Sequence, residues 1–443
     1  MSKEVNIGNI SRRFDANISA LRVFNNQIGR LAEEHDKTTV EQYNNTFAEL
    51  VGIPVEELDL LKDITKDDFT FALSAQTEDE NFEVYEKLQI DSQQISVLQK
   101  FKELNSKEFL LKSANFLRAS TKKLPIQATI LRRSALITLA SHFEYLIAEL
   151  LHSFYHLYPQ ALPSEERVLS LADLRTMGSI EDAENQLIEK EIDSLLRDTI
   201  EKQLDYFSSK RIRVDLDQLG EYKNWLIEIF QRRNLIVHND GIVNKIYLSR
   251  VSEELLDSEI ENGTRLDVTE DYLNKAIETI HISGIILTQL CWRKWQKDSI
   301  DPAESIYIDL LYESLQEHKY SFTKQLQNFS LKLEYTSDRI RRVAIVNHAI
   351  ALRELNQQEE LNKLLDTLDW SSCALEFRAA IFALKGDEEN LLRILPKAIA
   401  ANEIQRFHLE EWPLFEPFRE SENFRKQIQE SANENIILRK DSA

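Results

Sequence analysis

Residues 221–239 read EYKNWLIEIFQRRNLIVHN, a stretch with the spacing of an amphipathic helix. At about 100° per residue one face collects a stripe of apolar side chains, namely Tyr222, Leu226, Ile229, Phe230 and Val237. We expect this helix to begin near Asp215. It should end at Asn239-Asp240-Gly241, because glycine readily adopts the left-handed conformation that closes a helix.

Three further segments have helical spacing. They run from Leu124-Pro125 to Tyr158-Pro159, from Ile180 to Phe207 and from Glu270 to Trp295. The 443 residues include only 9 Gly and 8 Pro, so turns are few. Lys245–Leu248 and Arg265–Val268 could each form a short strand, and the pattern does not decide between strand and loop. The sequence therefore predicts a predominantly all-α protein.

These segments suggest three parts. Residues 1–123 would be a helical N-terminal region, with candidate helices at Asp15–Glu34, at Val40–Val51 and near Phe82–Phe116. Residues 124–298 hold the strongly periodic segments, which we expect to form an antiparallel bundle. Residues 299–443 carry shorter helices in antiparallel pairs, beginning at Asp301-Pro302.

The C-terminal part contains a weak internal repeat. Leu361 and Leu365 recur as Leu391 and Leu395 at an offset of about 30 residues, a spacing expected of tetratricopeptide-like hairpins. Turn residues separate the predicted helices at Asn356-Gln357 and Lys385-Gly386-Asp387. An ordinary helical bundle explains two approximate copies equally well. We expect the aromatic residues of the segment 412–418 to pack against the last hairpin.

Charge limits the possible functions. The formal net charge of −21 opposes nonspecific nucleic-acid binding, which depends on clustered Lys and Arg. Two basic groups are local exceptions that could still hold an RNA: Arg118, Lys122, Lys123, Arg132 and Arg133, and Lys210, Arg211 and Arg213.

The sequence also predicts a compartment. Cys291 and Cys373 lie far apart, so they form neither a disulfide framework nor a metal knuckle. The N-terminus lacks the charged start and apolar core of a signal peptide. The most apolar stretch, residues 280–292, is interrupted by His281 and Gln289 and is shorter than a membrane span. We expect a soluble, cytoplasmic protein with no membrane partner.

Three polar residues stand out on the helix at 221–239. Arg233 falls inside the apolar stripe, where an unpaired guanidinium is costly. Asn234 and His238 are four residues apart and therefore share one face. These residue types suit metal-free RNA cleavage, because histidine transfers protons near neutral pH and arginine grips phosphate through its planar fork.

At these residues the chain resembles the HEPN superfamily. That family is marked by an Arg and by a His four to six positions after it, near the end of a helix. The residue directly after the Arg is usually polar. The match here is Arg233-Asn234-Leu235-Ile236-Val237-His238. It continues as Asn239-Asp240-Gly241-Ile242-Val243-Asn244, like the subset that carries VHNxGxVN. The resemblance covers roughly residues 125–298.

The resemblance implies a function. It makes Arg233, Asn234 and His238 the catalytic residues of an endoribonuclease that needs no metal or cofactor. It also implies a homodimer in which the two copies of the motif face each other and form one cleft. The implied biological role is that of a toxin or antiphage effector that cuts cellular RNA such as tRNA. HEPN toxins paired with nucleotidyltransferase antitoxins place Tyr two residues after the His, whereas this chain has Asp240, so adenylylation there is not expected.

Two residues are candidates for a supporting role. Glu144 lies amid apolar neighbours in a predicted core helix and can pair with Arg233, either to orient a catalytic arginine or to satisfy a buried one. Asn239 directly follows the motif histidine. Arg342 and His348 match a looser form of the motif by chance. We prefer the first match because a polar residue follows its Arg and a helix stop follows its His.

Other chemistry has weaker support. Glu149, His152 and His156 could lie on one helix face, but no HExxH pattern supplies a complete metal site, so we predict surface histidines and no metal. The sequence has no Walker loop, GxGxxG or nucleophile elbow. Two noncatalytic alternatives remain open: a helical scaffold that dimerises or binds RNA, and an adaptor whose C-terminal hairpins bind a protein.

Overall fold

The computed structural model describes residues 6–61, 84–85, 87–103, 127–162, 178–256, 258–426 and 429. Every regular element among them is a helix, so the predicted all-α class is confirmed. The α-helices are α1 Ile7–Val51, α2 Val55–Leu58, α3 Ser92–Glu103, α4 Gln127–Leu157, α5 Ile180–Leu196, α6 Ile200–Phe207, α7 Tyr222–Asn239, α8 Lys245–Arg250, α9 Glu270–Trp295, α10 Ile300–Gln316, α11 Tyr320–Gln325, α12 Gln327–Lys332, α13 Asp338–Glu354, α14 Gln358–Leu365, α15 Leu375–Leu384, α16 Glu388–Ala400 and α17 Arg406–Glu411. The 3-10 helices are Asp59–Leu61, Pro159–Ala161, Asp217–Leu219, Glu253–Leu255, Lys297–Ser299 and Pro413–Phe418.

The described chain forms two compact units. The first contains the described residues within Met1–Ala20, Ile137–Leu266 and Asn274–Ala443, and the second contains those within Leu21–Leu136 and Asp267–Leu273. This division does not follow the three sequence segments, which stay a prediction. All five candidate site residues belong to the first unit.

Helices α4 and α9 match two predicted segments. On α4, the side chains of Leu139, Phe143 and Ile147 are fully buried, as the apolar stripe predicts. By length and composition, helix α4 is long and apolar enough to cross a membrane, whereas α9, which contains the stretch 280–292, is not. Half of the most apolar 18-residue stretch of α4 is buried inside the protein. A core helix of a soluble protein has these properties.

Helix α9 approaches its neighbours closely at Gly284. A Cβ atom at this position would lie 2.1 Å from Cε1 of Phe14 on α1 and 3.0 Å from Cδ2 of Leu146 on α4. Phe14 and Leu146 are both buried, so neither side chain has free space to move into. Glycine at 284 thus permits the packing that places α4 beside α9.

Gly284→Ala should lower the free energy of unfolding by about 1–3 kcal/mol, because the added methyl group overpacks the core. Gly29→Ala is a matched control on α1, where the nearest atom to a Cβ is Oδ1 of Asn25 at 3.8 Å. That change should raise stability by up to about 1 kcal/mol through helix propensity alone. Urea unfolding measures both, and a Gly284→Ala midpoint at or above that of the wild type would contradict the close approach.

Several predicted helix boundaries were wrong. Helix α1 begins at Ile7 rather than at Asp15. Helix α1 has no break between Glu34 and Val40, because residues 30–51 contain neither Gly nor Pro. Ile180–Phe207 forms two helices instead of one. The amide of Gln203 stabilises the break between them by donating to the carbonyls of Leu196, at 3.4 Å, and Asp198, at 3.1 Å. Helix α7 begins at Tyr222 rather than near Asp215.

The possible strands are not formed. Lys245–Leu248 lies in helix α8, which begins where the side chain of Asn244 accepts a hydrogen bond from the backbone N–H of Tyr247 at 3.0 Å. Tyr247 and Val251, four residues apart, are both buried, which is a helical spacing. Arg265 forms one isolated bridge with Ile242, and no strand ladder occurs among the described residues.

The C-terminal helices pack as sequential pairs, α13 with α14 and α15 with α16. Each pair turns at a residue with positive φ, Asn356 at 57° and Gly386 at 71°. The repeated leucines are buried at matching positions of the second helix in each pair. They are Leu361 and Leu365 on α14, and Leu391 and Leu395 on α16. Tetratricopeptide-like character stays a prediction. Leu414, Phe415 and Phe418 belong to the same hydrophobic cluster, which confirms their packing role.

Of the predicted segment near 82–116, the structure describes helix α3 at Ser92–Glu103. Arg118, Lys122 and Lys123 lie outside the described residues.

Candidate functional site

The motif occupies the last turns of α7 and the turn after it. Leu235 is buried and the backbone of Asp240 is left-handed, with φ 49°. The N–H of Gly241, at φ 81°, donates to the carbonyl of Leu235 at 3.0 Å. The predicted helix stop is therefore confirmed, and it leaves His238 at the exposed end of the helix.

The residues after His238 hold the turn in place. The amide nitrogen of Asn239 donates to the carbonyl of Ile242 at 2.6 Å. Val243 is buried, and its backbone N–H donates to the carbonyl of Thr264 at 2.8 Å. Asn244 then caps α8. Asn239, Val243 and Asn244 of the VHNxGxVN pattern thus have structural roles that position His238.

Arg233 is held from two sides. One terminal nitrogen contacts the carboxylate of Glu144 on α4, and the other donates to Oδ1 of Asn234 at 3.1 Å. The guanidinium carbon lies 5.4 Å from the ring centroid of Phe230. The Nε atom of Arg233 is buried and has no hydrogen-bond partner among the described residues. The guanidinium is therefore oriented while part of its donor capacity remains unused.

Glu144 provides the counter-charge. Burial raises the pKa of its carboxyl group, and the charge of Arg233 opposes that rise. The structure thus brings Glu144 to Arg233, as expected. Its contribution to catalysis stays a prediction.

The neighbouring Arg232 has a different environment, which sequence reasoning missed. Its Nε donates to Oε1 of Glu228 at 2.8 Å, and the hydroxyl of Tyr247 donates to the same oxygen at 2.8 Å. Glu228 is only 1% exposed. The three side chains join α7 to α8. The i,i+4 spacing of Glu228 and Arg232 was the available signal.

One cleft of about 600 Å³ is lined by all five candidate residues, Glu144, Arg233, Asn234, His238 and Asn239. The His238 side chain is exposed and has no hydrogen-bond partner among the described residues. Arg197, Thr199 and Arg250 also line the cleft, and sequence reasoning did not identify them. No local pattern marks these three, because they join the cleft only through tertiary packing.

The chance match at Arg342 and His348 has another setting. Arg342 donates to Oδ2 of Asp338 at 2.5 Å and to the carbonyl of Asp369 at 2.8 Å. His348 is fully buried. A substrate cannot reach this histidine, so the structure separates two pairs that look alike in sequence.

Several of the remaining candidates have structural partners. Glu149, considered above as a metal ligand, contacts Arg13, and in the described chain no group of three or more His, Cys, Asp or Glu is placed to hold a metal. Among the basic residues, Arg132 pairs with Glu33 and Arg133 pairs with Asp267 at 3.2 Å.

Comparison with protein-family models, curated proteins and solved structures finds no match to this chain. Its function must therefore be inferred from the cleft itself.

Proposed function

We propose that this chain is a metal-independent endoribonuclease of the HEPN type, which cleaves cellular RNA such as tRNA in the cytoplasm. The observation that supports this most is the convergence of an accessible His238, an oriented Arg233 and Asn234 in one cleft. Two packed helices, α4 and α7, supply these residues and Glu144. A site of this kind can act on phosphate without a bound cation.

In the proposed reaction, the 2′-hydroxyl of RNA attacks the adjacent phosphorus and the bond to the 5′-oxygen breaks. His238 takes the proton from the 2′-hydroxyl when neutral, or gives a proton to the leaving 5′-oxygen when protonated. Arg233 stabilises the charge on the phosphorane oxygens. The amide oxygen of Asn234 is bound to Arg233, which leaves its nitrogen to donate to a phosphate oxygen. The products are a 2′,3′-cyclic phosphate and a 5′-hydroxyl.

A homodimer completes this proposal. The reaction needs two proton transfers, and His238 is the one histidine among the described residues that line the cleft. A second copy facing the first would supply the other. Val237 and Ile246 are 47% and 57% exposed next to the cleft, and their burial would stabilise such a contact. Light scattering on the purified protein should give the mass of a dimer, and a monomer at micromolar concentration would contradict the dimer.

The first test is cleavage of total cellular RNA and tRNA by the purified protein in EDTA, with the ends of the products mapped. We expect cleavage to persist in EDTA and to leave cyclic-phosphate and 5′-hydroxyl ends. Products with 5′-phosphate ends, or cleavage that requires added metal, would rule out this mechanism. Growth arrest on expression would agree with the proposed role as a toxin or antiphage effector.

The alternative is a noncatalytic scaffold or adaptor. It is favoured by the Glu144–Arg233 contact, which would equally satisfy an arginine with a purely structural role. The paired C-terminal helices would then bind a protein partner. RNA that binds but is never cut supports this alternative, as does a protein captured through residues 300–430 independently of His238.

A further inference from the structure

The cleft contains two arginines to which the proposed reaction assigns no role. Arg197 lies between α5 and α6, and Arg250 is the last residue of α8. Both line the cleft with the motif residues, and both side chains are exposed. Neither has an ion-pair or hydrogen-bond partner within the described ranges of the chain. Arg232, Arg233 and Arg265 nearby are all paired with carboxylates.

The acidic groups of the cleft do not balance these charges. The carboxylate of Glu144 contacts Arg233. The carboxylate of Asp198 accepts a hydrogen bond from Nζ of Lys202 at 2.7 Å. Each lining carboxylate thus has its own cation, so Arg197 and Arg250 leave a local excess of positive charge. The chain as a whole has a net charge of −21, so its composition does not predict a positively charged cleft. The local positive charge favours an anionic ligand.

We infer that Arg197 and Arg250 bind the two phosphates that flank the scissile phosphate of a single-stranded RNA. This inference rests on the proposed function, because it takes Arg233 to mark the scissile position. A guanidinium binds phosphate through two parallel hydrogen bonds, and unpaired arginines can do so without breaking an existing ion pair. The volume of about 600 Å³ is within the range of sites that enclose whole ligands rather than a single ion.

The inference specifies the class of substrate. Single strands are favoured over duplexes, because a flexible strand can place its 2′-oxygen in line with the leaving 5′-oxygen. Sequence preference should be weak at the two flanking positions, since phosphate contacts carry no base information. A substrate with three consecutive phosphates would use all three arginines of the cleft.

Binding to an RNA that cannot be cut tests this inference separately from catalysis. The probe is a four-nucleotide 2′-O-methyl RNA with three phosphates, compared with the same RNA whose two outer linkages are uncharged methylphosphonates. Fluorescence anisotropy at low salt should show that the wild type binds the charged probe about 10- to 100-fold more tightly. The Arg197→Gln, Arg250→Gln double variant should bind both probes with nearly equal affinity.

A longer 2′-O-methyl RNA gives a second readout. The slope of log affinity against log salt should fall by about 1.4 in the double variant, since each lost phosphate contact accounts for about 0.7. Arg378→Gln is the matched control, an exposed arginine on α15 that does not line the cleft, and it should behave as the wild type does.

Two results would overturn the inference: a double variant that still discriminates between the short probes, or a wild type that binds neither. RNA binding through both arginines without any cleavage would instead contradict the proposed function alone.

Discussion

His238→Ala should lower the rate of RNA cleavage by about 10²- to 10⁴-fold, the usual contribution of a general acid or base. The side chain is exposed and makes no hydrogen bond within the described chain, so its loss should leave the fold intact. Arg233→Ala should cause a similar loss, because the charge on the phosphorane would be left without its cation. Cleavage of total RNA in EDTA measures both effects.

The matched control is His156→Ala, which removes another exposed histidine near the end of a helix, α4. It should cut RNA at the rate of the wild type. Circular dichroism and unfolding midpoints show whether each variant is folded. Cleavage that continues in a folded His238→Ala protein would place the activity elsewhere. Toxicity of the wild type that disappears with His238→Ala would link the same site to the cellular role.

Acidification from pH 7.5 to 5 should destabilise the protein through His348 by about 2 kcal/mol. Burial lowers the pKa of this histidine from 6.5 to about 4, and the backbone of Thr323 offsets only part of that shift. The unfolded chain therefore takes up the proton first as the pH falls. The contribution of neutral His348 to stability is nearly complete above pH 6.5. It is lost progressively as the pH falls toward 4, where the loss reaches about 3 kcal/mol.

His348→Leu removes this dependence, because leucine has no titratable group and an apolar side chain suits a fully buried position. Urea unfolding of both proteins at pH 7.5 and pH 5 isolates the effect, because other groups titrate equally in the two. Burial also lowers the pKa of His142, His152 and His408, so the variant should retain some sensitivity to acid. An equal loss of stability in wild type and variant between these two pH values would show that His348 does not titrate as a buried group.

Several features of the fold could be predicted from local sequence. The segment Glu270–Trp295 was predicted with the bounds that helix α9 has. The helix stop after His238 followed from Asn239-Asp240-Gly241, since the left-handed turn is a property of the local backbone. The short strand at Lys245–Leu248 was left open because a short apolar run fits either a strand or a helix. There the side-chain cap from Asn244 favours the helix.

The candidate site was predicted in part. Asn234 and His238 are four residues apart, so their spacing alone places them on one face of α7, whereas the structure places Arg233 in the same cleft. Glu144 could be suggested because a buried arginine needs a counter-charge, and the structure brings it to Arg233 from 89 residues away. Arg197 and Arg250 could not be predicted, because nothing in their own segments indicates that they line the cleft.

The sequence by itself determined the helical class, the end of α7 and the residue types available for chemistry at Arg233 and His238. Tertiary structure alone decided that His238 is accessible while His348, in a similar pattern, is buried. It also decided which carboxylates neutralise which arginines. The reason is physical: helix periodicity and caps depend on residues a few positions apart, whereas burial, ion pairing and the charge of a cleft depend on how distant segments pack.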